Sequence, residues 1–326
     1  MNEIVVITCP GGRQCSHLIP LLQKGTSFKI RLAAHSSHSK AALQEKYPDA
    51  EVFESDISRL DDCRNLLTGV TSVYHVGPSL HSRETEMGFN MIDAAVAESQ
   101  KVGSVFKHFV FSSVLCTQHR NLMQHDLKSR IEERLFLAPL NFTILQPTNF
   151  MDAFPVGLLA EQSNPTIERL WTPDVRNSVI ALRDLAAAGV RVLEEREMHY
   201  FAQYPLCSTL PISDAEIIQI IEKHIGKSVT VRAPSFETGV NHLAEVLYGD
   251  KLPEAYAGSQ VDASMKYPAA YDDIRPDISR DEAERLILFY NRRGLRGNPS
   301  VLRWLIRREP TTVDEWVGLQ LKKVSV

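Results

Sequence analysis

The chain of 326 residues holds five cysteines, Cys9, Cys15, Cys63, Cys116 and Cys207, and no two of them stand at a two-residue spacing. An odd, scattered set of this kind excludes a disulfide framework and fits a reducing, cytoplasmic setting. Cys9, Cys15, His17 and the nearby His35 match no zinc pattern, so no metal site is expected and the thiols read as small buried side chains. No run approaches the roughly 18 unbroken apolar residues of a membrane helix. Met1 leads straight into an apolar stretch, so no signal peptide is expected. An excess of one charge is missing too. The formal net charge is -4, with acids and bases interspersed, so neither a nucleic-acid nor a membrane partner is expected. There is no internal repeat, low-complexity tract or convincing linker.

What remains is ordinary material for a globular enzyme: 44% hydrophobic and 23% charged residues. The length accommodates one large α/β domain with an elaborated C-terminal part, or two domains. Short apolar runs alternate with amphipathic segments, which is the pattern of a parallel sheet with crossover helices. Strands are predicted at Glu3–Thr8, Lys29–Ala34, Glu51–Glu54, Ser72–Val76, His108–Ser112 and Asn141–Gln146. Helices are predicted between them at Cys15–Gln23, Lys40–Lys46, Leu60–Leu67, Glu86–Ser99 and Gln124–Phe136. Runs such as VVI and HFVFSS suit strands buried on both faces. The expected fold class is therefore α/β: a Rossmann-like, doubly wound parallel sheet with its ligand at the carboxyl ends of the strands. After Pro147 the pattern loosens. Residues 1–150 read as a dinucleotide-binding domain, and 151–326 as a smaller α/β substrate lobe packed on it and interleaved with it. In that half, Met151–Ala160 reads as loops and short helices. Helices are predicted at Val179–Leu193, Asp214–His224, Val301–Ile306 and Thr312–Leu319, and a strand within His199–Ser208. Ser213 and Glu216 have capping-box spacing.

The first turn is glycine-poor. In VITCPGGRQCSHLIPLL the three positions of a Rossmann glycine pattern fall on Cys9, Gly12 and Cys15. Gly11 and Gly12 keep the close backbone approach that a pyrophosphate needs at a helix N-terminus. Cys9 and Cys15 are small enough to replace glycine where φ stays negative. The bland alternative is a Gly-Gly turn that merely joins strand to helix. The second strand ends at RLAAHSSHSK, without the acid that a site preferring NAD offers to the ribose hydroxyls. His35, Ser36, Ser37, His38 and Lys40, with Arg13, are instead donors for a 2′-phosphate, or simply a solvated loop. Asp56 is placed to accept from an adenine amino group or to cap the helix that follows.

These residues, with ESDISRLDD, YHVGPS, EMGFNMIDAAV, HFVFSSVL, HDLKSRIEERL, FTILQPTNFMD and the tail LRGNPSVLRWLIRREPTTVDEWV, occur in an order that resembles the NmrA-like branch of the atypical short-chain dehydrogenases/reductases. The resemblance spans nearly the whole chain. It implies a Rossmann domain, a C-terminal substrate lobe and NADP(H), with NAD(H) or no cofactor as the alternatives. By the same match Gly12, Arg13 and Gln14 lie near phosphate, and His35 and Ser36 near the 2′-phosphate. Asp56 and Ile57 flank adenine, Gly77 and Pro78 line the cofactor, and Pro147 and Asn149 approach the nicotinamide. His35 stands where many relatives carry arginine.

The largest absence concerns chemistry. Short-chain reductases use Ser with Tyr-x-x-x-Lys; here Ser113 and Lys128 are present, but the tyrosine position is Gln124, which is no acid at neutral pH. Lys128 and His125, three residues apart on one helix face, are the remaining acid–base candidates. Relatives resembling isoflavone reductases are thought to use this lysine. The structural alternative has both residues capping the helix or pairing with Asp126, Glu132 or Glu133. Ser79, His81, Cys116, Phe150, Phe154 and Trp171 are candidate substrate-pocket residues. Three readings stay open. The first is an NADP(H)-dependent reductase of a small apolar or aromatic carbonyl or enone in secondary metabolism. The others are a non-redox isomerase, cyclase or lyase on the same fold, and a non-catalytic NAD(P) sensor. The partner is a small molecule, and the assembly a homodimer or a monomer.

Overall fold

Val5, Val6 and Ile7 are wholly shut off from solvent, Val5 and Ile7 in the core on one face of a sheet and Val6 in the core on the other. Alternation along a strand produces this division, and only a sheet covered on both faces needs three consecutive apolar residues. A computed structural model describes residues 3–78, 81, 83–248 and 276–324, with side chains for all of these except 245–248, 276–279 and 323–324. The first half runs β1 (Ile4–Ile7), α1 (Arg13–Gly25), β2 (Lys29–Ala34), α2 (Ser37–Lys46), β3 (Glu51–Glu54), α3 (Leu60–Leu66) and β4 (Ser72–Val76). It continues with α4 (Glu84–Ser99), β5 (His108–Ser112), α5 (Met123–Phe136) and β6 (Phe142–Pro147).

Beyond β6 come β7 (Asn149–Phe150), α6 (Val156–Glu161), β8 (Thr166–Glu168), β9 (Arg176–Asn177), β10 (Val179–Ile180), α7 (Leu182–Glu195) and β11 (Ala202–Leu206). They are followed by β12 (Ile212–Ser213), α8 (Asp214–Ile225), β13 (Thr230–Arg232), α9 (Phe236–Tyr248), α10 (Pro276–Arg292), α11 (Ser300–Ile306) and α12 (Val313–Val324). The predicted helix Val179–Leu193 is thus two elements. Val179 and Ile180, both β-branched, pair with Asn149 and Phe150 before the chain turns into α7 at Leu182. The capping box at Ser213 forms as expected: its hydroxyl accepts from the Glu216 amide at 3.2 Å, and its own amide donates to the Glu216 carboxylate at 2.8 Å.

Seven parallel strands form the main sheet in the order β11-β6-β5-β4-β1-β2-β3. The seventh, β11, comes from the second half of the chain and lies against β6. Helix α7 packs on α1 in the core that holds Leu18, Ile19 and Leu22 on one side and Leu185 and Val192 on the other. A separate small core joins Met151, Phe154, Ile217, Ile221, Trp316 and Val317. Helices α9 and α10 pack together through Val240, Leu243, Ala283 and Ile287. The strand order reverses between β1 and β4, so a crevice opens beyond their carboxyl ends, where ligands of doubly wound sheets bind. Among the described residues no helix is long and apolar enough to cross a membrane.

Candidate functional site

The turn from β1 into α1 is built differently from the expected glycine pattern. Cys9 adopts φ +46°, so the first thiol occupies the left-handed region that glycine normally fills, contrary to the expected negative value. A non-glycine residue there costs about 1–2 kcal/mol. The turn closes with the Gly12 amide donating to the Cys9 carbonyl at 3.0 Å. A Cβ on Gly12 would stand 3.1 Å from that same oxygen, which explains why glycine is kept there. Cys15 is helical and fully buried, and its Sγ donates to the Thr8 carbonyl at 3.7 Å, tying α1 down onto β1. Burial pushes the Cys9 thiol up to about 12, so it stays neutral beside a would-be phosphate. Arg13 is exposed at the first turn of α1.

Beside this turn lies a cavity of about 340 Å³ lined by Cys9, Gly11, Gly12, His35, Ile57 and Pro78, among others. No acid stands at the tip of β2. Ser36 caps α2, accepting from the Ser39 amide at 3.2 Å, and Ser39 itself lines the cavity. Asp56 turns its carboxylate to the Ser58 amide at 2.9 Å. His81, expected on the substrate side, lines this first cavity instead, its amide donating to the Pro78 carbonyl at 3.2 Å.

On the other side of the turn is a second cavity, of about 400 Å³. It gathers the expected Gln14, Gly77, Ser113, Lys128, Pro147, Asn149, Phe150 and Trp171, together with Gln124. Its apolar wall comes from Leu170, Leu243, Leu286, Leu295 and Tyr290, all in the second half of the chain. Tyr290 stacks on Trp171 (centroids 4.7 Å apart) and donates to Asn149 Oδ1 at 2.8 Å. Burial pushes the Tyr290 hydroxyl up to about 12. Trp171 in turn donates to Asp214, which also pairs with Arg169.

Lys128 is not a free ammonium in this cavity. It forms a buried ion pair with Glu84, which is wholly inaccessible to solvent and whose Oε2 has no hydrogen-bond partner among the described residues. Burial raises the Glu84 carboxyl above its ordinary value, against the opposing pull of Lys128. A Cβ at Gly77 would overlap this carboxylate, lying 2.8 Å from its Cγ, so Gly77 is glycine because Glu84 sits there.

His125 is placed for support rather than acid catalysis. Its Nδ1 lies 2.8 Å from the Cys116 carbonyl, so that nitrogen carries the proton. Its Nε2 is buried without a partner, and burial lowers its pKa to about 4. A neutral ring has no spare proton at pH 7. The Ser113 hydroxyl donates to Glu132 Oε1 at 2.5 Å. Thr117 at 3.0 Å and Gln146 at 2.9 Å donate to the same carboxylate.

Two further substrate-pocket expectations move. Phe154 is buried in the C-terminal core with the Arg169 guanidinium 4.6 Å over its ring, where it is needed for packing. Cys116 is half-buried at φ +61° and packs beside Leu115, Tyr290 and Leu295. Ser79 lies outside the described residues. Nothing local in the sequence marks Glu84 or Tyr290 as lining this site, and Glu132, one helical turn from Lys128, is expected there only as an ion-pair partner. Among the described residues no cluster of three or more His, Cys, Asp or Glu is placed to hold a metal ion.

A family model, NmrA-like family, matches residues 1–284. The chain belongs to the NmrA-like family. Other proteins share parts or all of its architecture. The photosystem II assembly factor Ycf39 of Guillardia theta is 27% identical over 189 residues, a match spanning 56% of this chain and 58% of that protein's length. The Citrobacter sp. triphenylmethane reductase, solved with NADP(H), superposes with a TM-score of 0.70 at 19% identity, covering 97% of this chain and 99% of that one. The NADPH-dependent quinone oxidoreductase of Escherichia coli, solved with NADPH, gives 0.66 at 19% identity with the same coverage. At such identities the likeness is one of fold, and this NmrA-like chain has that fold.

Proposed function

We propose that the protein is an NADP(H)-dependent reductase of a small, uncharged carbonyl or enone, with an apolar or aromatic body, working in the cytoplasm in secondary metabolism. One observation carries the reading: the two cavities lie on either side of the β1–α1 turn, at the switch point of the sheet, and the second contains Lys128. The residues present fit a dinucleotide. The Gly12 amide opens a helix of 13 residues, whose N-terminal dipole favours a pyrophosphate. The tip of β2 offers His35, Ser36 and Ser39 and no carboxylate to repel a 2′-phosphate. That the two similar reductases were solved with NADP(H) or NADPH supports the same assignment.

The Gly12 amide, His35, Ser36 and Ser39 would hold NADP(H), whose chemistry there would be hydride transfer to an electron-poor carbon. The chain's own residues do the rest. Lys128, held by Glu84, provides the proton at Nζ for the developing oxyanion. Gln124 and Asn149 offer amide groups beside it, the latter oriented by Tyr290. Trp171, Tyr290 and the leucine wall exclude water and accept a flat ring. Division into a cofactor-binding part to residue 150 and a substrate-binding part beyond it belongs to the same proposal. Calorimetry with NADPH and NADP⁺ tests the reading. Dissociation constants in the micromolar range are expected, followed by NADPH oxidation with members of a panel of quinones and aromatic enones. Failure to bind at millimolar concentration removes it. Binding without turnover favours a sensor, and turnover without cofactor favours a non-redox isomerase or lyase.

A further inference from the structure

The hydroxyl of Ser113 carries one hydrogen, and its destination decides what the reaction cavity can recognise. That hydrogen goes to Glu132 Oε1 at 2.5 Å. Glu132 is 7% exposed and is satisfied by three donors from three elements: Ser113 after β5, Thr117 in the following loop, and Gln146 on β6. No cation pairs with it among the described residues, so these hydrogen bonds are what holds a buried carboxylate. Charge-assisted bonds of this kind are about twice as strong as neutral ones. Turning the Ser113 hydrogen toward a substrate carbonyl would strip one of them away. The backbone amide of Ser113 is engaged too, donating to the Leu145 carbonyl at 2.7 Å. What Ser113 still offers is lone pairs on Oγ.

Three other polar side chains of the cavity, Lys128, Gln14 and Asn149, have the opposite character. Lys128 has only donors. Gln14 accepts from Ser112 on its Oε1 at 2.9 Å, and Asn149 accepts from Tyr290 on its Oδ1. Each is left with an NH₂ group. A substrate oxygen that must accept therefore meets Lys128 and the amides, whereas Ser113 waits for an incoming O–H.

We infer that Ser113 is a hydrogen-bond acceptor of the reaction cavity, fixed in that role by Glu132, and that the site selects aromatic carbonyl substrates carrying a hydroxyl group over the same compounds without one. This deepens the reductase reading and rests on it for the word substrate. The N–H of a nicotinamide carboxamide has the same donor chemistry, so the experiment separates the two sources.

The probes are the 2-, 3- and 4-hydroxybenzylideneacetones and their methyl ethers. Binding is measured by calorimetry on protein saturated with NADP⁺ or, should the cofactor not bind, on the protein alone. At least one phenol is expected to bind about tenfold more tightly than its ether, the worth of one hydrogen bond. The preference should vanish in Ser113→Ala. It should narrow in Glu132→Gln, whose amide can donate to Ser113 Oγ and release the hydroxyl hydrogen into the cavity. Retention of the wild-type preference in a folded Ser113→Ala overturns the inference, as does equal binding of all three pairs. A third overturning result is that Ser113→Ala weakens NADPH while leaving the 3-acetylpyridine analogue, which lacks the carboxamide N–H, untouched. That would assign the acceptor to the cofactor. Because the readout is binding rather than turnover, a protein that fails to oxidise NADPH still gives an answer.

Discussion

The cavity beside Gly11 and Gly12 is walled by main chain and by small or apolar side chains together with His35 and His81, whereas the polar groups of the one beside Lys128 have hydrogen bonds that run into neighbouring elements. The difference shows in how each has absorbed change. Two glycines are replaced by cysteines at the first, and the turn still closes on its own backbone hydrogen bond. In the second, Gly77 answers to Glu84, Glu84 to Lys128, and Ser113 to Glu132. Main-chain recognition tolerates substitution as long as the path of the backbone survives. Side-chain recognition does not, because each member leaves a buried partner unpaired when it goes.

The contrast is open to direct attack. The largest effect is expected from Lys128→Met, which should lower kcat/KM by about 10²- to 10⁴-fold. It should also destabilise the fold by roughly 3–5 kcal/mol, because Glu84 is left without its counter-charge. Adding Glu84→Gln should restore the melting temperature without restoring turnover. Recovery of both would show that the pair is a packing element alone.

Next comes acid sensitivity behind the reaction cavity. Burial lowers the pKa of His75 to about 3 and of His125 to about 4, from an ordinary 6.5. Each neutral ring therefore contributes stability that is complete above pH 6.5 and is lost as the pH falls toward the native value. Within that window the unfolded state binds the extra proton, at about 1.4 kcal/mol per pH unit for each ring. Calorimetric unfolding between pH 7 and 4 should show this slope, and His125→Gln should remove one ring's share.

A smaller effect separates two glycines. Gly77→Ala should cost roughly 1–3 kcal/mol through overpacking on Glu84. Gly11→Ala, with nothing within 4 Å of the added carbon, should change stability by no more than about 0.5 kcal/mol. Equal costs in urea unfolding would erase the distinction between the cavities. Smallest of all, Cys9→Gly should raise stability by up to about 1 kcal/mol, once the freedom glycine regains in the unfolded chain is set against the relieved strain. A loss of stability would mean that the Cys9 side chain supports the turn more than its φ burdens it.

Much of the fold was legible in local pattern. Strands β2 to β5 span the residues expected of them, and β4 and β5 are buried along their whole length, as strands covered on both faces must be. The Ser213 cap was readable because its two partners lie three residues apart. The break at Ala181 was not, because Val179 and Ile180 fit a helical periodicity and become a strand only by finding Asn149 and Phe150. The site was legible where it follows the carboxyl ends of strands, at Gly12, Gly77, Ser113 and Pro147. It was illegible where distant segments meet. Nothing around Glu84 marks it as the partner of Lys128, 44 positions away, and Tyr290 reaches Asn149 across 141. The sign of φ at Cys9 likewise follows from closure of a turn rather than from residue type.

That the seventh strand arrives from beyond residue 200 has a consequence for any attempt to dissect the molecule. A fragment stopped at residue 150 would leave the hydrogen-bonding rim of β6 unpaired. It would also strip α1 of the helix that covers its leucines. Such a piece is expected to present a long sticky margin to its neighbours and clump during expression, so the first half of the chain depends on the second.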